Sequence, residues 1–502
     1  MNKDVLLALG AGSLAAVLVS WGIVSVLDQE VSYPLMIAVL ALLLVSVVTR
    51  EIMTFHHPLT PAGVVALTGL LLFVLRPLTV WANRVTSPGA LADSRYFSSA
   101  LVEAGSAALV QCLVFFCLFF IVYYAIALNQ RATVIEAASI SALTRRESRV
   151  VSTTALQYLT LVASGGAFAA ILYLIVSSGG PSAYVAGLAL RSDFLSGRSF
   201  FALTYVPVQI ALVLNVLHRR KVGVRVWNWV NVVAVVSLLV CGISAGGRGP
   251  LVIGVVLPLV LLKQFGPKPL RLRTLTTIGV GMLVVALTYS IVVRTSSFDG
   301  GRSLAQFKVD PVGVMLTQLT SGSETRPFDS LVRLNEAATT DGFEFQGGAT
   351  YAAAPAWFVP RALWEGKPNG GGNTWFTSTY VPRFYGTARI ETSLSTVGEG
   401  YANFGYAGVA GAGIVLGAVA SQLRPRRRQD ETTAGGLLGT TLTVVLTPLL
   451  FSLIRGDLYQ GGSLTIATVG LTMAGYYVVS SRKPATTHGT VERLVATSVL
   501  RA

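Results

Sequence analysis

The chain has 502 residues, 53% hydrophobic and only 12% charged, with a formal net charge of +15. Soluble domains carry about 25% charged residues, so the composition excludes an ordinary globular protein. The basic excess falls in links between apolar runs, which argues against nucleic acid as the partner.

In chain order, twelve apolar runs are predicted as membrane spans: 5–27, 33–49, 61–81, 105–128, 156–177, 200–217, 227–244, 250–262, 275–294, 405–423, 435–454 and 463–480. About 20 helical residues at ~1.5 Å each cross the ~30 Å hydrocarbon core. The first run, flanked by Lys3, has the composition of a signal peptide. No small-x-small cleavage site follows it, so it is read as a span. With a cytoplasmic N-terminus, the inner segments hold 22 lysines and arginines, and the short outer loops hold only Arg84, Arg95, Arg191, Arg198, Arg248 and Arg455. This positive-inside bias places both termini in the cytoplasm of a multi-pass cell-membrane protein. The expected organisation is nine transmembrane helices over 1–294, a large external loop over 295–404, three more helices over 405–480 and a cytoplasmic tail over 481–502. The fold class is an all-α polytopic membrane protein.

Cys112, Cys117 and Cys241 fall inside spans, so disulfides and thiolate metal sites are not expected in the loop. The four histidines, His56, His57, His218 and His488, land on the inner side, which removes imidazole from outer-face chemistry. Arg131–Ser152 reads either as an amphipathic surface helix or as a solvated linker.

Within the loop, Leu304, Phe307, Val312, Met315, Leu316 and Leu319 follow helical spacing, as do Phe328, Leu331, Val332 and Leu334. The stretch 353–364 is rich in aromatics and proline, which suit a membrane interface. The loop is expected to lie over the outer bilayer surface rather than form an independent domain.

Ser244-Ala-Gly-Gly-Arg-Gly-Pro250 joins the seventh and eighth spans. The eighth helix is short for a bilayer, so this turn is placed below the outer surface. Its glycines expose amides at a helix N-terminus beside Arg248, which suits an anion. The alternative is a tight hairpin whose arginine reaches the headgroups. Arg76, Arg191, Arg198, Arg294 and Arg455 fall on the same side and, as a group, point to an outward cavity for phosphate. Membrane-embedded acids are nearly missing in this reading. Glu103 is the main candidate, and the scarcity weighs against an ion-coupled transporter.

Two late motifs carry a resemblance: Pro360-Arg-Ala-Leu-Trp-Glu-Gly-Lys-Pro368, followed by the glycine-rich run 369–373, and Gly398-Glu-Gly-Tyr-Ala-Asn-Phe-Gly405 leading into the tenth span. With the Arg-Gly turn at 248–249, they resemble the O-antigen and exopolysaccharide polymerase family. The resemblance implies a GT-C-like enzyme that polymerises undecaprenyl-pyrophosphate-linked oligosaccharide repeats on the outer face of the cytoplasmic membrane. Implied partners are the lipid-linked donor and acceptor, membrane lipids and a chain-length regulator protein. Neither cofactor nor metal is expected, because pyrophosphate is already a good leaving group. Arg191, Arg248 and Arg361 are the candidate catalytic clamps. Glu399 is either the general base or a residue that orients the loop. Arg76, Arg198, Arg294, Lys367, Arg383, Trp364, Tyr401 and Asn403 are assigned to substrate binding, with interface anchoring as the alternative for the aromatics. Arg191 and Arg198 do not fit the family's Arg-x10-Gly spacing, which Arg361 with Gly372 and Arg389 with Gly400 satisfy. Rival readings are an O-antigen ligase, which lacks its external histidine here, a metal-dependent polyprenyl-phosphate-sugar transferase using Asp28 and Glu30, and a lipid-linked-oligosaccharide flippase or exporter.

Overall fold

A computed structural model describes residues 29–86, 101–141, 149–189, 203–244, 248–266, 268–295, 302–321, 326–339, 343–359, 363–368, 370–382, 392–424 and 434–482. The predicted span 5–27, the tail beyond 482, and Asp28 lie outside them. The described chain is helical but for one antiparallel pair, β1 (Arg149–Val151) with β2 (Ser480–Arg482), registered Val150 to Ser481.

The first half contains α1 (Gln29–Phe55), α2 (61–86), α3 (Leu101–Ser141), α4 (Thr153–Ser177), α5 (Pro181–Ala189), α6 (Tyr205–Lys221) and α7 (Trp229–Ser244). After them come α8 (248–264) and α9 (272–295). The insert contributes α10 (Arg302–Val309), α11 (Pro311–Ser321), α12 (Arg326–Ala338), α13 (Ala349–Ala352), a 3-10 turn (Ala354–Phe358) and α14 (Gly372–Tyr380). The chain returns through α15 (Ser395–Gln422), α16 (Ala434–Leu446), α17 (Leu449–Arg455) and α18 (458–479).

Among the described residues, seven helices are long and apolar enough to cross a membrane, and the bent pair α16–α17 would make an eighth span. The protein is therefore an all-α, membrane-embedded chain. Trp229–Ser244 and Gly249–Gln264 are apolar but shorter. The helix predicted from Arg131 onward is in part a continuation of α3, which runs to Ser141.

Two hydrophobic cores fill the bundle. The first joins α1, α2, α3, α15 and α17, and it includes Phe328, Leu331 and Val332 from the insert. The second joins α4, α6, α7, α8, α16 and α18. Thus α12 is part of the bundle, as its buried face of Phe328, Leu331 and Leu334, all at 0% exposure, requires. The outer α10–α11 pair breaks at Asp310-Pro311, where the Asp310 carboxylate accepts from Gly313 N at 2.8 Å and starts the second helix.

Among the described residues, the most extensive helix contact is α15 against α3. A Cβ on Gly413 would lie 2.6 Å from Phe115 O, and one on Gly417 would lie 2.5 Å from Phe119 O. Lipid tails are as apolar as leucine, so membrane helices associate through such close backbone approach rather than through hydrophobicity. Opposite these glycines, Phe115, Phe119 and Tyr123 stack at four-residue spacing, with centroids 6.3 and 6.1 Å apart.

At the end of the bundle away from the insert, Glu51 is fully buried and accepts from Arg50 Nη1 at 2.8 Å, Tyr124 Oη at 2.8 Å and Thr60 Oγ1 at 2.7 Å. The Arg50 guanidinium lies 3.8 Å from the Tyr124 ring centroid. Glu103, the expected embedded acid, is exposed. Glu51 escapes a sequence reading because its neighbour Arg50 makes the pair look like a solvated helix end.

Replacing Gly417 with Leu is expected to force α15 off α3 and destabilise the fold by roughly 1–3 kcal/mol. Leu at Gly411, which faces open space, is expected to be neutral. Thermal unfolding of both variants in detergent checks this, and equal melting temperatures would contradict the packing.

Candidate functional site

The helix ends nearest the insert carry three polar fastenings. Arg76, two residues past the π-helical turn Leu70–Val74 of α2, pairs side-on with Asp329 in the first turn of α12: Nε to Oδ1 at 2.9 Å and Nη2 to Oδ2 at 2.9 Å. Its Nη1 donates to Thr320 O at 3.3 Å, so one guanidinium holds both α11 and α12. Burial pushes the Asp329 carboxyl up from its ordinary value, and the Arg76 guanidinium pulls it back. Further along α12, Asn335 and the fully buried Gln111 of α3 exchange amide bonds at 2.7 and 3.0 Å.

The third fastening gathers the two late motifs. Glu399 has no exposed surface: Oε1 accepts from Thr350 Oγ1 at 2.9 Å, and Oε2 accepts from Leu458 N at 2.7 Å. Asn403, one turn on, donates to Thr350 Oγ1 at 2.7 Å and accepts from Gly348 N at 2.9 Å. Beside them Asp457, 2% exposed, accepts from Asn373 N at 2.9 Å and Gln460 N at 3.0 Å. Burial pushes the Asp457 carboxyl up, against the pull of those two backbone donors. The glycine-rich run is short of side chains for a reason: a Cβ on Gly371 would lie 3.0 Å from Asp457 Oδ2, and one on Gly372 would lie 3.0 Å from Glu399 Oε1. The helix carrying Glu399 breaks at Phe404–Gly405, where Gly405 takes φ +61, and its two limbs meet at Gly400 and Gly408.

Of the predicted site residues, Glu399 and Asn403 are interior, and their polar atoms bind the protein itself. Both Glu399 carboxylate oxygens thus accept a bond from elsewhere in the chain. Lys367 donates to Val359 O at 2.8 Å and Trp357 O at 3.3 Å, closing the loop after the 3-10 turn. Tyr401 is half-buried between Phe345 and Tyr406, with centroids 6.0 and 5.8 Å away. Trp364 is 44% exposed, and its neighbour Leu363 is 80% exposed. Arg191, Arg198, Arg361 and Arg383 lie outside the described residues, as do the side chains of Arg248 and Arg294.

The described residues contain four π-helical turns, and each adjoins one of the arginines that the sequence analysis places on the outer side. Leu70–Val74 precedes Arg76, Val252–Val256 follows Arg248, Ser290–Thr295 contains Arg294, and Leu458–Gly462 follows Arg455. Such turns add a residue to the helix and recur at functional sites. Three of them pack directly on the insert. Among the described residues, no cluster of three His, Cys, Asp or Glu is placed to hold a metal ion.

Sequence reasoning missed Asp329, Asp457, Thr350 and Asn373. Only Asp457 carried a local signal, as a cap ahead of the turn that begins at Leu458. Comparison with family models, curated proteins and solved structures gives no match for this chain.

Replacing Asp329 with Ala leaves the Arg76 charge half-buried, which costs on the order of 3 kcal/mol when such a partner is lost. The α10–α11 segment is expected to become sensitive to limited proteolysis, and the paired change Arg76→Met with Asp329→Leu is expected to restore protection. Unaltered protection in the single variant would contradict the clamp.

Proposed function

We propose that this chain is a membrane glycosyltransferase that polymerises undecaprenyl-pyrophosphate-linked oligosaccharide repeats at the outer face of the cytoplasmic membrane. In this reading it is GT-C-like, with twelve spans including 5–27, cytoplasmic termini and the insert outside. The observation that supports it most is the grouping of arginine-bearing helix ends with π-helical turns, three of the four covered by the insert. The 22-to-six cation bias between inner segments and outer loops supports the orientation.

The reaction needs an acceptor hydroxyl oxygen to bond to the anomeric carbon of the donor repeat. The bond from that carbon to the pyrophosphate oxygen breaks, and the pyrophosphate leaves with the electron pair. The hydroxyl proton passes to water or to a base at the acceptor. Arg191, Arg248 and Arg361 are assigned to the pyrophosphate, where a planar fork gives two parallel bonds to phosphate oxygens. Arg198, Arg294 and Arg383 are assigned to the same charge at longer range, and Trp364 to a sugar ring. Glu399, Asn403 and Lys367 shape the loop instead. Arg76 holds the insert in place over the site.

A second reading, export of the lipid-linked oligosaccharide without lengthening, gains support from the buried Glu51, because embedded carboxylates suit ion coupling. Reconstitution with lipid-linked repeats separates the two. The polymerase reading expects a ladder of lengthened glycans, lost by on the order of 100-fold when Arg191, Arg248 or Arg361 becomes Ala. Lysine at those positions is expected to be weak as well. Unchanged ladders in all three variants would reject the assignment, and transbilayer movement without lengthening would favour the exporter.

A further inference from the structure

The links between α6 and α7 and between α8 and α9 are the most one-sidedly charged parts of the chain. The first carries Arg219, Arg220, Lys221 and Arg225, and the second carries Lys263, Lys268, Arg271 and Arg273. Neither has an acid, and the sequence has none between Asp193 and Asp299. Other basic links on the side read as inner hold counter-charges of their own. Arg50 pairs with Glu51, the 131–152 link has Glu136 and Glu147, and the link after Arg424 has Asp430 and Glu431. Among the described residues, Lys221, Arg225, Lys263, Lys268, Arg271 and Arg273 make no ion pair.

The fold brings the two links together and fixes the shape of both. Helix α6 ends at Gly223, whose φ of +72 suits glycine, and Val224 N donates to Arg219 O at 3.1 Å. Arg219 Nε donates to Arg225 O at 2.8 Å, and Asn231 Nδ2 donates to Val226 O at 2.7 Å. In the second link Gln264 Oε1 accepts from Leu270 N at 3.0 Å. Arg220 Nη1 donates to Leu262 O and so joins one link to the other. Both lie at the end of the bundle away from the insert. Helices α7 and α9 meet at their opposite ends, where Tyr289 Oη donates to Ile243 O and Gln318 of α11 donates to Ser290.

Trp227 and Trp229 stand on the first link, 53% and 66% exposed. Tryptophan favours the level where headgroups meet hydrocarbon, and lysines and arginines beside a span attract anionic lipid. Rings at the start of a membrane helix put the neighbouring cations at headgroup depth. Lipid phosphate is present at that depth, which favours it over a soluble acidic protein as the missing counter-charge.

We propose that the paired links form a binding surface for anionic phospholipid headgroups, with Trp227 and Trp229 seated at the headgroup boundary. The surface does not depend on the glycosyl-transfer reading.

The full chain reconstituted in vesicles of equal phosphatidylcholine and phosphatidylglycerol tests it, with bromine on the acyl chains of one lipid or the other. Bromine quenches tryptophan fluorescence on contact, and subtracting a Trp227→Phe, Trp229→Phe protein isolates those two rings. Brominated phosphatidylglycerol is expected to quench the isolated signal several-fold more than brominated phosphatidylcholine. Replacing the exposed Arg225, Lys268, Arg271 and Arg273 with Gln is expected to abolish that excess. Equal quenching by the two lipids in the native chain overturns the surface and would favour a soluble acidic partner. An excess that survives the four glutamine replacements overturns it as well. The comparison of lipids in the native chain stands without the glutamine variant.

Discussion

A carboxylate withdrawn from water must be given donors by the protein around it, and that constraint decides how the insert folds. Glu399 and Asp457 accept bonds from hydroxyl and backbone groups at Thr350, Leu458, Asn373 and Gln460, which come from distant parts of the chain. None of those segments can move away without leaving a buried carboxyl group short of partners. Asp329 is answered differently, by an arginine on a membrane helix. Together these contacts fasten the described parts of 326–403 to the helix ends as a roof.

Rigidity in the roof and irregularity in the helices beneath it go together. Each π-helical turn lies beside an arginine, and the helix carrying Glu399 and Asn403 is broken at Gly405. Non-helical backbone at membrane depth persists only where protein or a watery cavity surrounds it. Side chains on well-anchored elements hold their geometry, which a clamp for a leaving pyrophosphate requires. The outer α10–α11 pair is the exception, since Val309, Val312 and Leu316 are 86%, 65% and 55% exposed. It is the part of the insert suited to lie against lipid.

Much of the architecture was legible in the sequence because apolar runs and helical spacing are local signals. The helices of the insert were readable from Leu304 to Leu334 for the same reason, and the glycine-rich motifs stood out by composition. What they do was not readable. A Cβ on Gly371 would crowd Tyr459 and Asp457, and one on Gly372 would crowd Glu399, and no spacing rule links Gly371 to Asp457, 86 positions on. The pairing of Arg76 with Asp329, 253 residues away, has no local signal. Glu51 was hidden by its neighbour Arg50. Pairings across the fold decide whether a charge is a tool or a fastening, and a single sequence does not contain them.

The account turns on arginines of separate helices converging on one diphosphate, and a structure with a bound polyprenyl pyrophosphate tests that most directly. The account predicts Arg248 and at least one guanidinium from 295–404 at about 3 Å from the pyrophosphate oxygens. A diphosphate bound elsewhere, with those guanidiniums facing lipid or bulk water, would contradict it.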